Sequence, residues 1–283
     1  MAMLWRTARF AVDLSRPRVM GIVNVTPDSF SDGGLHADAA SAIAHCDTLL
    51  REGAQILDIG GESTRPGART PSVDEELQRV LPVLRHAVTL GVPVSVDTSQ
   101  PRVMQAALDL GVDIVNDVRA LQREGALDVL AAHASAGVCL MHMQGEPRTM
   151  QAGPHYDDVV FEVRAFLAAR LAALCARGIA AERIVLDPGI GFGKTVGHNL
   201  ALLRRQLELT DLGAPLMVGW SRKATLGALT GRAAPERQAA SVAAALLAVQ
   251  RGAKIVRVHD VAATVDALAL WHAVDNGLEA EEQ

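Results

Sequence analysis

A chain of 283 residues is long for one ordinary domain but close to the roughly 250 residues typical of a barrel of eight parallel strands and eight helices. Apolar residues make up 49% of it and aromatics only 3%, so the core must be built from Ala, Val, Leu and Ile, as parallel-strand interiors are. The formal net charge of −5 excludes a general attraction to nucleic acid or to a membrane surface, and any anionic ligand has to be drawn by a local cluster of cations or helix N-termini.

Residues 1–17 read as an N-terminal extension. The segment is interrupted by Arg6 and Arg9, shows no export signal, and carries a short extra strand at Phe10–Leu14 or a hairpin. No apolar run reaches the length of a membrane span. A soluble, cytoplasmic protein is expected, with Cys46, Cys139 and Cys175 as inert core thiols. Arg18–Asn24 is the first strongly apolar strand, and three- and four-residue spacing predicts a helix from Ala37 to Gly53. Alternation continues with strand Gln55–Gly60, helix Ser72–Leu90, strand Val92–Asp97, helix Pro101–Leu110, strand Val112–Val118 and helix Gly125–His133. Strand Gly137–Met141, helix Val159–Arg177, strand Ile184–Asp187, helix His198–Leu209 and strand Pro215–Val218 follow. Helices Arg222–Leu229 and Glu236–Arg251, strand Lys254–Val258 and helix Val261–Asn276 complete the series, leaving a frayed acidic tail from about 277 to 283. Eight strand–helix units favour a TIM (β/α)8 barrel in a single domain over an open doubly wound sheet. Polar residues at nearly every strand end point the same way, because barrel chemistry is drawn from many strand ends at once.

Two polar loops follow early strands: Asn24 to Gly34, which carries Asp28, Ser29 and Phe30, and Gly60 to Gly67, which sets Arg65 between Thr64 and Pro66. Either is a plain surface turn in isolation, but a rigid Pro/Gly frame around an arginine also suits a planar or anionic group. Asp97 and Asp187 end apolar strands. An acid there is more often a helix cap than a reagent, yet carboxylates facing one barrel mouth can accept hydrogen bonds from a guanidine-like ring edge and stabilise nearby positive charge. Asn116 offers a donor and an acceptor to the same heterocycle.

Gly193-Lys194-Thr195 imitates a nucleotide-binding loop, but the glycine that pattern needs falls on Pro188, so Asp187 to Thr195 reads as a wall and Lys194 as the residue least expected to matter. Ser221 in Gly219-Trp-Ser-Arg-Lys223 caps a helix or, with Arg222 and Lys223, forms an anion or carboxylate site. Arg257 and His259 are two cationic donors that share a face if the last strand continues, placed where barrels bind phosphate. Asn24 reaches the same anion directly or through Mg²⁺. HExxH, paired-cysteine and GxSxG patterns are absent, which disfavours a zinc hydrolase or serine esterase.

Together Met20–Gly34, Asp58–Gly67, Leu186–Lys194, Gly219–Lys223 and Arg257–Asp260 resemble the dihydropteroate synthases, pterin-binding barrel enzymes of the folate pathway and targets of sulfonamides. The resemblance implies condensation of (7,8-dihydropterin-6-yl)methyl diphosphate with 4-aminobenzoate, through a cationic pterin methylene, with Mg²⁺ as cofactor and a homodimer as the assembly. Carried over, Asp97, Asn116, Met141, Asp187, Gly219, Lys223 and Arg257 contact the pterin, with Met143 as the alternative methionine. Phe30, Thr64, Arg65, Pro66, Phe192, Lys223 and Ser221 shape the aminobenzoate pocket, its carboxylate lying at the Ser221 helix N-terminus. Asn24, Arg257 and His259 hold the diphosphate, Asn24 also its metal, and Asp28, Asp97, Lys223 and Arg257 are the catalytic set. Asp117-Val-Arg-Ala-Leu121 departs from the small residues many relatives carry there, and Trp220 also varies. A pterin-dependent methyltransferase of the same fold and a non-catalytic pterin-binding homologue are the competing readings.

Overall fold

Short runs rich in Val, Ile and Leu become strands buried on both faces, and the longer amphipathic runs between them become the helices that cover the outside. The computed structural model describes residues 3–26, 34–62 and 69–277. A hairpin of β1 (Leu4–Arg6) and β2 (Ala11–Asp13) comes first. β3 (Arg18–Asn24) leads to α1 (Gly34–Arg51), β4 (Ile56–Gly60) to α2 (Val73–Ala87), β5 (Val94–Asp97) to α3 (Pro101–Asp109) and β6 (Ile114–Asp117) to α4 (Ala126–Ala132). β7 (Gly137–Met141) leads to α5 (Val159–Ala176), and β8 (Ile184–Asp187) to α6 (Val196–Arg204) and α7 (Leu207–Thr210). β9 (Leu216–Val218) leads to α8 (Ala224–Thr230) and α9 (Gln238–Val249), and β10 (Ala253–Val258) to α10 (Val261–Asn276). Each strand from β3 to β10 pairs in parallel with the next, and β10 closes on β3. This is the expected (β/α)8 barrel with its N-terminal hairpin.

Local chemistry sets several helix starts. Ser72 Oγ accepts from Glu75 N while the Glu75 carboxylate accepts from Ser72 N, a reciprocal cap that opens α2. Asp158 caps α5 by accepting from Val160 N and Phe161 N, and Pro101 opens α3, where its missing N–H costs nothing.

Strand side chains alternate between two faces, and the inward set is layered. Met20, Ile56, Ile114, Cys139, Val185, Met217 and Ile255 form a fully buried cluster with Trp5 and Leu14 of the N-terminal segment, which plugs the lower end of the barrel. Two residues further along, the same faces turn polar: Asp58 follows Ile56, Asn116 follows Ile114, Asp187 follows Val185 and Arg257 follows Ile255. The apolar layer makes the floor on which the polar layer stands.

The plug is tied down by Asp113. Its fully buried carboxylate accepts from Val94 N at 2.9 Å, Arg9 Nε at 3.0 Å and Arg9 Nη2 at 2.6 Å. Asp113→Ala is expected to lower stability by about 2–3 kcal/mol, because it strands a backbone donor and breaks a charge-assisted pair whose arginine stays partly hydrated. Denaturant unfolding reads this directly, and kcat/KM should stay unchanged because the pair lies at the end of the barrel away from the polar layer.

Several expectations need correction. The single helix predicted over His198–Leu209 is broken into α6 and α7, because Gln206 turns inward to donate to the carbonyls of Ala248 and Arg251 at the end of α9. Helices predicted from Arg222 and Glu236 begin at Ala224 and Gln238, since Arg222 has a left-handed φ of 58° and residues 234–236 form a single 3₁₀ turn. Cys46 and Cys139 are buried, but Cys175 is exposed on α5 rather than in the core. No described helix is long and apolar enough to cross a membrane.

Candidate active site

The polar layer converges on one guanidinium. Arg257 donates Nε to Asp58 Oδ2 at 2.5 Å and Nη2 to Asp97 Oδ2 at 2.8 Å. Asn116 donates Nδ2 to the same Asp58 oxygen at 3.1 Å, which orients the amide so that its Oδ1 is the atom offered to a ligand. Asp58 was not among the candidate residues. It is fully buried and its Oδ1 has no partner among the described residues. The signal in the sequence was an acid at the centre of the apolar strand Ile56–Gly60, in phase with Ile56.

Asp187 stands at the end of β8, and its Oδ1 accepts from Gly189 N at 2.7 Å. Burial raises the carboxyls of both Asp97 and Asp187 above the usual range. For Asp97, Arg257 opposes that shift while Asp58, Asp117 and Glu62 reinforce it. The Gly189 N–H, Lys223 and Arg257 oppose it at Asp187. Lys223 is pushed down to about 8 by burial, with Arg257 adding to the shift and Asp187 and Asp97 opposing it. Its Nζ lies 4.2 Å from the centroid of the Phe192 ring, within cation–π range. An inward-facing acceptor set thus stands beside an ammonium and an aromatic plane.

The last strand stops short of His259. β10 ends at Val258, Arg257 turns to the two carboxylates, and His259 turns to Ser221. His259 is also not the cation expected, because burial, reinforced by Arg257 and Arg222, lowers it to about 3. Ser221 Oγ accepts from His259 N at 3.2 Å and lies 3.0 Å from Nδ1. A neutral ring carries one N–H, and the direction of the Nδ1–Oγ contact follows the tautomer.

Ser221 is not the cap of a helix. Arg222 takes its left-handed φ, held by Asp260 at 2.7 and 3.2 Å and by Ser241 Oγ, which accepts from Arg222 N. α8 begins only after Lys223, just beyond Ser221.

The glycine-rich loop after β8 is a wall pressed against the loop after β7. Gly189 and Gly193 both have left-handed φ, 69° and 61°, and a Cβ on either would collide with backbone, 1.8 Å from the His142 carbonyl oxygen and 2.3 Å from that of Gln144. Only glycine fits. Lys194 is not idle in this loop, contrary to expectation: it is 3% exposed and makes hydrogen bonds within the wall.

Beside the acceptors, a cavity of about 320 Å³ is lined by Val118, Arg119, Arg123, Met141, Met143 and Phe166. Both candidate methionines border it. The departing segment Asp117–Leu121 is a built turn: Ala120 and Leu121 both have positive φ, and Asp117 accepts from Ser99 Oγ, Arg119 N and Leu121 N. Asn24 ends β3 opposite Gly60, and Gly219 follows β9. Asp28, Ser29, Phe30, Thr64, Arg65 and Pro66 lie outside the described residues. No cluster of three His, Cys, Asp or Glu suited to a metal occurs among the described residues.

Residues 20–259 match the family described as Pterin binding enzyme. The dihydropteroate synthase of Neisseria meningitidis serogroup B is 56% identical over 277 residues, covering 96% of this chain and 97% of that protein. Among solved structures, Xanthomonas albilineans dihydropteroate synthase with 4-aminobenzoic acid superposes with a TM-score of 0.92 at 51% identity, covering 98% of this chain and 99% of that one. The same enzyme in complex with 7,8-dihydropteroate gives 0.87 at 50% identity, with 95% and 97% covered.

Proposed function

This chain belongs to the pterin binding enzyme family, with the dihydropteroate synthases, and from that premise we infer that it joins (7,8-dihydropterin-6-yl)methyl diphosphate to 4-aminobenzoate, releasing diphosphate and 7,8-dihydropteroate. The observation that carries the reading is the convergence of Asp97, Asn116 and Asp187 at one barrel mouth beside Arg257. The edge of a pterin is a row of N–H donors and ring acceptors. Carboxylate oxygens of Asp187 and Asp97 accept from that row, Asn116 Oδ1 takes another donor, and the Lys223 ammonium donates to a ring acceptor.

In the reaction the bond from the pterin methylene to the diphosphate oxygen breaks, its electron pair leaving with the diphosphate. The aniline nitrogen then supplies the pair for the new C–N bond and sheds a proton. Positive charge that develops on the methylene is stabilised by the buried carboxylates, already fixed before the substrate arrives. His259 and Arg257 face the departing anion. Mg²⁺, held by Asn24, would neutralise charge on the leaving diphosphate. Phe192 beneath Lys223 forms the plane against which 4-aminobenzoate packs, with Ser221 beside its carboxylate.

A homodimer is supported by the outer helices. Leu270 and Val274, one turn apart on α10, are 68% and 75% exposed, and Leu229 on α8 and Leu247 on α9 add further exposed apolar side chains. A cytoplasmic location is supported by the free thiols, of which Cys175 is exposed. The test of activity is direct: supply the pterin diphosphate, 4-aminobenzoate and Mg²⁺ and follow diphosphate release. A folded sample that binds pterin yet shows no turnover would sink the synthase reading and leave the non-catalytic homologue.

A further inference from the structure

Lys194 ends the glycine-rich loop with its ammonium turned away from solvent and enclosed by the protein. Its Nζ lies 2.9 Å from His142 Nδ1, 3.0 Å from the Gly189 carbonyl oxygen, 3.1 Å from that of Phe192 and 3.4 Å from that of His142. Three N–H donors therefore meet four acceptors, two from the loop after β8 and two from the residue that follows β7. We propose that Lys194 is a positioning residue for both substrates, holding Asp187 and Phe192 in place by tying the wall of the site to the loop after β7. The proposal rests on the pterin and aminobenzoate reading of that wall.

The geometry gives the connection in each direction. Gly189, whose carbonyl Lys194 holds, is the residue whose N–H fixes the Asp187 carboxylate. Phe192, whose carbonyl Lys194 also holds, presents its ring to the Lys223 ammonium. On the far side, accepting from Lys194 requires His142 Nδ1 to be unprotonated, and burial and the Lys194 charge together keep this imidazole neutral. His142 packs edge-on against Phe166 at 4.9 Å, so its ring is a fixed post. Burying an ammonium is costly unless every donor is satisfied, and here two of the three carbonyls that accept from it, Gly189 and Phe192, belong to the substrate-facing loop. The Lys194 charge also attracts Asp187 and opposes the burial that would protonate it.

Lys194→Met keeps the length of the side chain and removes the ammonium. Its expected effects are about tenfold weaker pterin binding and about tenfold higher KM for 4-aminobenzoate, measured in the full chain beside wild type. A folded Lys194→Met protein with both constants within twofold of wild type overturns the proposal, whatever its melting temperature. Should that variant fail to fold, the nitrogen-15 spectrum of His142 in wild type decides. An unprotonated Nδ1 whose resonance shifts on saturation with a dihydropterin supports the coupling. A protonated Nδ1, or one that does not shift, overturns it. Absence of turnover in wild type would count against the synthase reading alone, since pterin binding still scores Lys194.

Discussion

Replacing Arg257 with alanine is expected to reduce kcat/KM by about a thousandfold and to destabilise the chain by about 3–5 kcal/mol, the usual cost of leaving a buried charge without its partner. One guanidinium is shared by Asp58 and Asp97, on strands far in sequence from its own β10. Without it, the Asp58 and Asp97 carboxylates lose the cation they share, and Asp97, already raised by burial, takes up a proton. That converts an acceptor for the pterin into a donor and removes negative charge from beside the methylene. The diphosphate also loses its nearest fixed cation. Binding should therefore weaken for any pterin, and weaken further for one bearing diphosphate. Isothermal titration with both ligands separates the two effects. Equal losses would show that Arg257 acts only by maintaining the carboxylates. Arg257→Lys should recover little, because a single ammonium cannot fork across Asp58 and Asp97 as Nε and Nη2 do.

The barrel was legible because its determinants are local. A two-residue period in strands such as Val94–Asp97 and a longer period in the helices between them fix element type, and eight repeats of the pair fix closure. Asp97, Asn116 and Asp187 were legible for the same reason, as polar residues where apolar runs stop. Asp58 was not, because the apolar run resumes after it and its partner, Arg257, arrives from the other end of the chain. The neutral state of His259 and the left-handed turn at Arg222 likewise depend on burial and on Asp260 and Ser241, which no local pattern around them encodes. Lys194 reads as idle once the nucleotide-loop pattern fails at Pro188, because no local pattern reveals what surrounds it. Its actual partners are carbonyls brought up by the left-handed turns at Gly189 and Gly193 and by the neighbouring strand end. The break between α6 and α7 has the same origin, since Gln206 answers to carbonyls on α9.

Asp187→Asn is expected to separate recognition from stability. The carboxamide oxygen can keep the hydrogen bond from Gly189 N, so the loop holds its shape, while the amide NH₂ turns toward the N–H row of the pterin edge. Donor then meets donor, and a site built to accept a hydrogen bond loses about a hundred- to a thousandfold in kcat/KM when that match is broken. The fold should not suffer. Burial raises the Asp187 carboxyl above its ordinary value of 3.8, so in wild type this group favours the folded state when protonated, and that contribution is lost as pH rises from the unfolded value through the folded one. An asparagine does not titrate, and the variant should be at least as stable as wild type at pH 7, with a shallower fall in stability as pH rises above the acid range. Denaturant midpoints at acid and neutral pH measure this alongside turnover and pterin titration. A variant that keeps pterin affinity within threefold would remove Asp187 from the recognition of the pterin. Loss of folding would instead place its carboxylate among the supports of the Gly189 turn.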